Sequence, residues 1–220
     1  MSEEKKQKSD EIKEFGALML NENKKNYKIR LLTIIGEIEG HETVSNNTKA
    51  TKYEHLLPQL AEAEESDEVE GVLILLNTLG GDVEAGLAIA EMIASLGKPT
   101  VSLVLGGSHS IGGTLAVSAD YSFIAPTASM TVHPLRSNGL FITSQESFAY
   151  FLKMQERIIN FIADNAKIDA KQVQTLMNNK NQLVDDIGTV LTGREAVQAG
   201  IIDAVGGLGD ALEKLKNMLK

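Results

Sequence analysis

The sequence predicts an α/β fold, a parallel sheet with helices packed on its faces. Three observations point there. Short β-branched apolar runs recur at 29–38, 69–78 and 99–107. Stretches with helical apolar spacing separate them. The runs are continuous rather than alternating, as strands buried on both faces of a parallel sheet must be.

The elements follow in order. Residues 1–27 are polar and densely charged and are expected to form a flexible N-terminal tail, leaving 28–220 as one domain. IRLLTIIGEI (29–38) reads as the first strand, and 50–66 as a helix with Pro58 kinking it. VEGVLILLNT (69–78) is a buried strand that runs through a glycine turn into the Ala-rich helix of 79–97. PTVSLVLGG (99–107) is the third strand, and it too ends in glycines before a small-residue helix at 110–120. Short strands follow at 121–126 and 129–134, then a long helix from about 144 to 166 and a shorter one after it. The chain closes on helix, turn and short strand (192–207) and an amphipathic helix. In open α/β sheets ligands sit beyond the carboxyl ends of the strands, so both glycine turns are expected to face one crevice.

Composition narrows the function. The 220 residues carry a formal charge of −9, which disfavours binding nucleic acid through its phosphates. The absence of cysteine removes disulfides, thiolate metal sites and cysteine nucleophiles. The N-terminus lacks the apolar core of a signal peptide, and no stretch approaches the ~18 apolar residues of a membrane span. The expectation is a cytoplasmic protein with no integral membrane segment. No histidine pair has zinc-ligand spacing, so neither a metal nor a cofactor is expected.

Two segments carry candidate chemistry. In GGSHSIGG (106–113) a serine, Ser110, follows a strand and a glycine turn and opens a helix. Backbone N–H groups there are free to meet a developing oxyanion, the logic of a nucleophile elbow, although Gly107 and Gly112 flank the segment in shifted positions. A glycine-serine loop with Ser110 as a helix cap is the plainer reading. NTLGGDVEAG (77–86) lets backbone approach a ligand closely, or serves only as a tight strand–helix turn. Of the four histidines, His41 and His55 lie in polar contexts, and His109 adjoins Ser110 and points elsewhere. His133 lies in the apolar run MTVHP, as a base or as a satisfied core residue.

Together these segments resemble the Clp protease proteolytic subunit family and its crotonase-like fold. The family's N-S-P-G-G turn matches Asn77–Gly81, and its G-x-A-A-S-M-G serine segment matches Gly106–Gly112. Its M-I-H-Q-P strand matches Met130–Pro134, and E-A-x-x-x-G-L-I-D matches Glu195–Asp203. The S-H-S spelling and the ending VGGLGDALEKL are similar to the translocation-enhancing (TepA) branch of that family.

The resemblance implies a serine endopeptidase acting on peptides or unfolded proteins, with Ser110 as nucleophile and His133 as general base. Gly81 and Ile111 would supply the oxyanion hole, and substrate would lie extended along Gly80 and Val83 as an added strand. For the acid, alignment on LTGREA puts Gly188 at the family's aspartate position. Asp186 serves if the loop carries an insertion, with Asp185 as the alternative and a simple turn role for both as the plain reading. His109 stands where the family has a small residue, and is expected to narrow the pocket or alter pH dependence. Ser108 is a fallback nucleophile.

The resemblance further implies a homo-oligomeric ring, a heptamer or stacked rings, built through the 144–166 helix as a protruding handle. It also brings in an ATP-dependent unfoldase as a partner, although the tail does not match the family's axial-loop segment. The rival functions are a catalytically silent ring serving as a scaffold or export aid, and a signal-peptide-peptidase-like hydrolase with a serine–lysine dyad, for which Lys98, ahead of the third strand, stands out of place. An acyl-CoA hydratase on the related fold is disfavoured, because the paired acidic residues it needs are not evident.

Overall fold

A parallel sheet grows outward from its longest strands, because those strands carry apolar side chains to both faces. The computed structural model describes residues 12, 16–21, 27–45, 47–136, 145–180 and 187–220. Its strands are β1 (Leu18–Asn21), β2 (Lys28–Glu39), β3 (Ala50–Lys52), β4 (Gly71–Gly81), β5 (Thr100–His109), β6 (Tyr121–Ile124), β7 (Ser129–Val132), β8 (Thr189–Thr192) and β9 (Ala204–Val205). Its helices are α1 (Tyr53–Glu65), α2 (Val83–Ala94), α3 (Gly112–Ala116), α4 (Gln145–Asn165), α5 (Ala170–Met177), α6 (Gly193–Gln198) and α7 (Leu208–Met218).

The strand order is β1-β2-β4-β5-β6-β9, with β3 beside β2, β7 beside β5 and β8 beside β7. β2, β4, β5, β6 and β9 run parallel, while β1 and β8 are antiparallel to their partners. The expected parallel sheet with flanking helices is therefore the architecture found.

Side chains alternate across each strand. On β4, Val72, Ile74 and Leu76 enter the larger core beneath α1 to α5, together with Ile89, Ile93, Ile158 and Ile162. Leu73 enters a smaller core on the opposite face, with Leu103, Phe123 and the α7 residues Ala211 and Leu215.

Two differences from the sequence reading stand out. The sheet begins inside the expected tail, where β1 pairs Leu18 to Asn21 with Leu31 to Lys28. The physical reason is the apolar run Ala17–Leu20, long enough to join an edge and too short to register as an element by period. β8 is the second, a four-residue strand that earns its place by pairing with β7. Elsewhere the expected elements stand close to their bounds, with α4 on the stretch expected as the handle and Pro58 inside α1.

β4 and β5 are both irregular just before their carboxyl ends, and this positions the site. On β4, Gly36 pairs Thr78 while Glu37 pairs Gly80, so Leu79 is an extra residue pushed outward. On β5, Val104 pairs Leu76 while Ser108 pairs Thr78, so three residues, Leu105 to Gly107, oppose Asn77 alone. Asn77 stitches this gap: its side-chain carbonyl accepts the Gly107 N–H at 3.0 Å. Past the irregularity β5 changes neighbours, pairing with β6 at 101–104 and with β7 at 107–109. Bulges of this kind re-aim the residues that follow them.

Candidate active site

Ser110 sits at the end of β5 and is the non-glycine residue with positive φ among those described, at 57°. A left-handed backbone costs an L-residue roughly 1–2 kcal/mol, so its surroundings must hold it. Its N–H donates to the Thr131 carbonyl at 2.9 Å, and its carbonyl accepts the Gly113 N–H at 3.0 Å. The amides of Ile111 and Gly112 open α3 and have no intrahelical acceptor.

The β4 turn lies against this serine. A Cβ on Gly80 would come 2.7 Å from the Ser110 Cβ and 3.4 Å from its Oγ. Gly80 and Gly81 have φ of 94° and 147°, and a Cβ on Gly81 would strike the Ile38 backbone. Only glycine fits both places. Asp82 then caps α2, its carboxylate accepting the Ala85 N–H at 2.8 Å. The two glycine turns expected to share a crevice are thus in contact.

His133 follows β7, one residue past the strand. Its Nδ1 lies 2.7 Å from the Pro134 carbonyl oxygen. A carbonyl only accepts, so Nδ1 carries the hydrogen and the neutral ring keeps its lone pair on Nε2. Gly188 packs behind it, where a Cβ would lie 2.8 Å from the His133 Cβ. Gly188 is itself tied down by its N–H to the Asn179 carbonyl at 2.8 Å. Asp185 and Asp186, both candidates for the third member, lie outside the described residues, while Gly188 lies beside His133.

Ser110 and His133 line one cavity. The rest of its wall is apolar: Met130 and Val132 of β7, Leu135, Ile158 and Ile162 of α4, Val173 and Met177 of α5, and Ile201. No local signal announces this pocket, because its wall is gathered from segments tens of residues apart. Val83, at the first turn of α2, is half-buried.

Several alternatives fall on geometry. Ser108 is fully buried and its hydroxyl donates to the Gly112 carbonyl at 2.6 Å, so it holds the elbow and is no nucleophile. Lys98 donates to the Ala63 and Ser66 carbonyls at 2.7 and 2.6 Å, at the end of α1. It precedes β5, whose far end carries Ser110, and a 10-residue strand spans about 30 Å, so a dyad through Lys98 is not formed. His109 is not in the cavity wall, so it does not narrow the pocket. Its Nδ1 lies 2.8 Å from Thr131 Oγ1. Burial, and then the neighbouring His133, hold its pKa below the usual histidine value. Asp203, from the matched E-A-x-x-x-G-L-I-D segment, is structural: it accepts from the Ser122 N–H and hydroxyl, each at 3.0 Å, and pairs with Lys167 at 2.9 Å. Among the described residues no group of three or more His, Cys, Asp or Glu could hold a metal, and no helix is long and apolar enough to cross a membrane.

Comparison with known proteins bears on the family and the fold. The Clp protease family profile matches residues 26–208. The chain is 52% identical to the translocation-enhancing protein TepA of Halalkalibacterium halodurans over 192 residues, 87% of this chain and 75% of that protein. It is 25% identical to the ATP-dependent Clp protease proteolytic subunit of Streptococcus uberis, over 81% of this chain and 85% of that protein. Among solved structures, a mutant ClpP1 from Listeria monocytogenes superposes with a TM-score of 0.66 at 23% identity, over 83% of this chain and 94% of that one, a likeness of fold. With its profile match covering most of its length, the chain belongs to the Clp protease family.

Proposed function

We propose that the chain is a serine endopeptidase that cleaves peptides or unfolded proteins through an acyl-enzyme on Ser110. The observation that carries this reading is a strained serine and a histidine, its Nδ1 turned to the Pro134 carbonyl, lining one apolar cavity. In this mechanism Nε2 of His133 takes the Oγ proton as Oγ attacks the scissile carbonyl. The oxyanion is received by the amides of Gly81 and Ile111. The Asp82 N–H donates to Ile38 on β2, and successive amides of an extended chain point opposite ways. That alternation supports a Gly81 N–H directed away from β2, toward Ser110.

His133 then passes the proton to the leaving amine, and water hydrolyses the ester with His133 again as base. The Pro134 carbonyl keeps the proton on Nδ1 throughout. Asp186, as third member, would stabilise the imidazolium. The substrate backbone runs extended along Gly80 and Val83, and the pocket favours an apolar side chain at the residue whose carbonyl is attacked.

Self-association belongs to the same reading. The first turns of α4 expose Phe148 and Leu152 on one side and Tyr150 on the other, apolar surface that water disfavours. It supports a handle buried between copies, in a heptameric or stacked ring, in the cytoplasm, with an ATP-dependent unfoldase as a further partner. A second reading rests on the 52% likeness to a protein named for enhancing translocation: a ring that aids export as a scaffold, with little or no catalysis. Turnover of a fluorogenic peptide with an apolar residue before the scissile bond separates them. Wild type is expected to turn it over and Ser110→Ala to fall by about 10⁴-fold or more. Equal rates for the two proteins would remove Ser110 from the chemistry.

A further inference from the structure

His109 is a titratable group beside the nucleophile to which the mechanism gives no task. Its ring is fixed at both ends. Nδ1 lies 2.8 Å from the Thr131 hydroxyl, and the other edge rests on Gly107, where a Cβ would come 2.5 Å from Nε2. His109 and Thr131 are partners in the β5–β7 register. The carbonyl of the same Thr131 accepts the Ser110 N–H at 2.9 Å. One residue of β7 therefore grips both the side chain before the nucleophile and the backbone of the nucleophile itself. A residue at φ 57° keeps that conformation only where its neighbours over-determine it.

We infer that His109 is a positioning residue: with Thr131 it forms a clamp that holds the Ser110 turn in its left-handed conformation and so aims Oγ at His133. The inference rests on the peptidase reading. The threonine hydroxyl both donates and accepts, so the clamp closes on either tautomer of the imidazole. Among the described residues the neighbours Gly107, Thr131 and Val190 carry no charge, and His133 is the titratable group that acts on it. Burial and His133 disfavour its charged form, so the clamp adds no positive charge to oppose the imidazolium that forms during acylation.

The test is a double-mutant cycle on the full-length protein, read as the second-order rate of Ser110 labelling by a fluorophosphonate, with thermal unfolding measured alongside. His109→Ala and Thr131→Val are each expected to slow labelling about tenfold, because a small misalignment of a nucleophile is costly. The double variant is expected to be slowed by about the same tenfold, since both changes open one clamp. His109→Asn and Thr131→Ser, which keep a donor and an acceptor in place, are expected to stay within about threefold of wild type. Single variants at the wild-type rate, or a double variant slowed by the product of the singles, would overturn the clamp. So would rates that fall only in step with melting temperature, which would make the contact purely structural. Wild type that takes no label at Ser110 would overturn the peptidase reading as well, whereas labelled wild type with indifferent His109 variants overturns the clamp alone.

Discussion

The two halves of the candidate site are built differently. On the serine side most of the support is sheet. Ser110 is held by Thr131 on β7, pressed by Gly80 on β4 and backed by the buried Ser108 hydroxyl on the Gly112 carbonyl. On the histidine side Nδ1 meets the next residue's carbonyl, and the Gly188 backbone lies against the His133 Cβ. The serine side spends conformational strain that the whole sheet must balance. The histidine side takes its tautomer from one carbonyl and its place from the end of a short strand. Backbone changes at Gly80 should therefore cost stability and activity together, and changes at His133 mainly activity.

The sharpest break is His133→Ala. Peptide turnover is expected to fall about 10⁴- to 10⁶-fold, as for loss of a catalytic histidine elsewhere, with the melting temperature close to wild type. A large loss of stability would show that the histidine side is as integral to the sheet as the serine side. Next comes Gly80→Ala, which puts a Cβ 2.7 Å from the Ser110 Cβ at a φ of 94°. Denaturant unfolding is expected to show a loss of about 2–3 kcal/mol, together with lost turnover. Full stability would mean that the β4 turn yields freely and does not over-determine the serine.

The smallest effect separates strain from chemistry. Ser110→Gly and Ser110→Ala both remove the hydroxyl, but only glycine is at ease at φ 57°. Glycine is expected to be the more stable by about 1 kcal/mol in denaturant unfolding, although both are inactive. Alanine being equal or better would take the strain out of the account.

Much of this was legible in the sequence. The central strands were, because continuous apolar runs such as VLILL have few other uses. The proposed nucleophile and base stand in segments whose order and spelling match a family, and the contact of the two glycine turns follows from parallel strands ending side by side. Local reading failed where a role depends on a distant partner. Nothing near Asn77 announces that its amide spans the β5 gap, and nothing near Ile158 or Val173 places them in a pocket with Ser110. β1 and β8 are four residues each and exist by pairing rather than by propensity. From the sequence His109 reads as narrowing the pocket or altering pH dependence; the alternation of the strand turns it to Thr131 and out of the cavity wall, which removes the first of these.

The central claim is that Ser110 and His133 act as one unit. Intact-protein and peptide mass spectrometry after fluorophosphonate treatment tests it directly. The account predicts a single adduct on Ser110 in wild type, none in Ser110→Ala, and labelling slowed by several orders of magnitude in His133→Ala. An adduct on another serine, or undiminished labelling of Ser110 once His133 is gone, would contradict it.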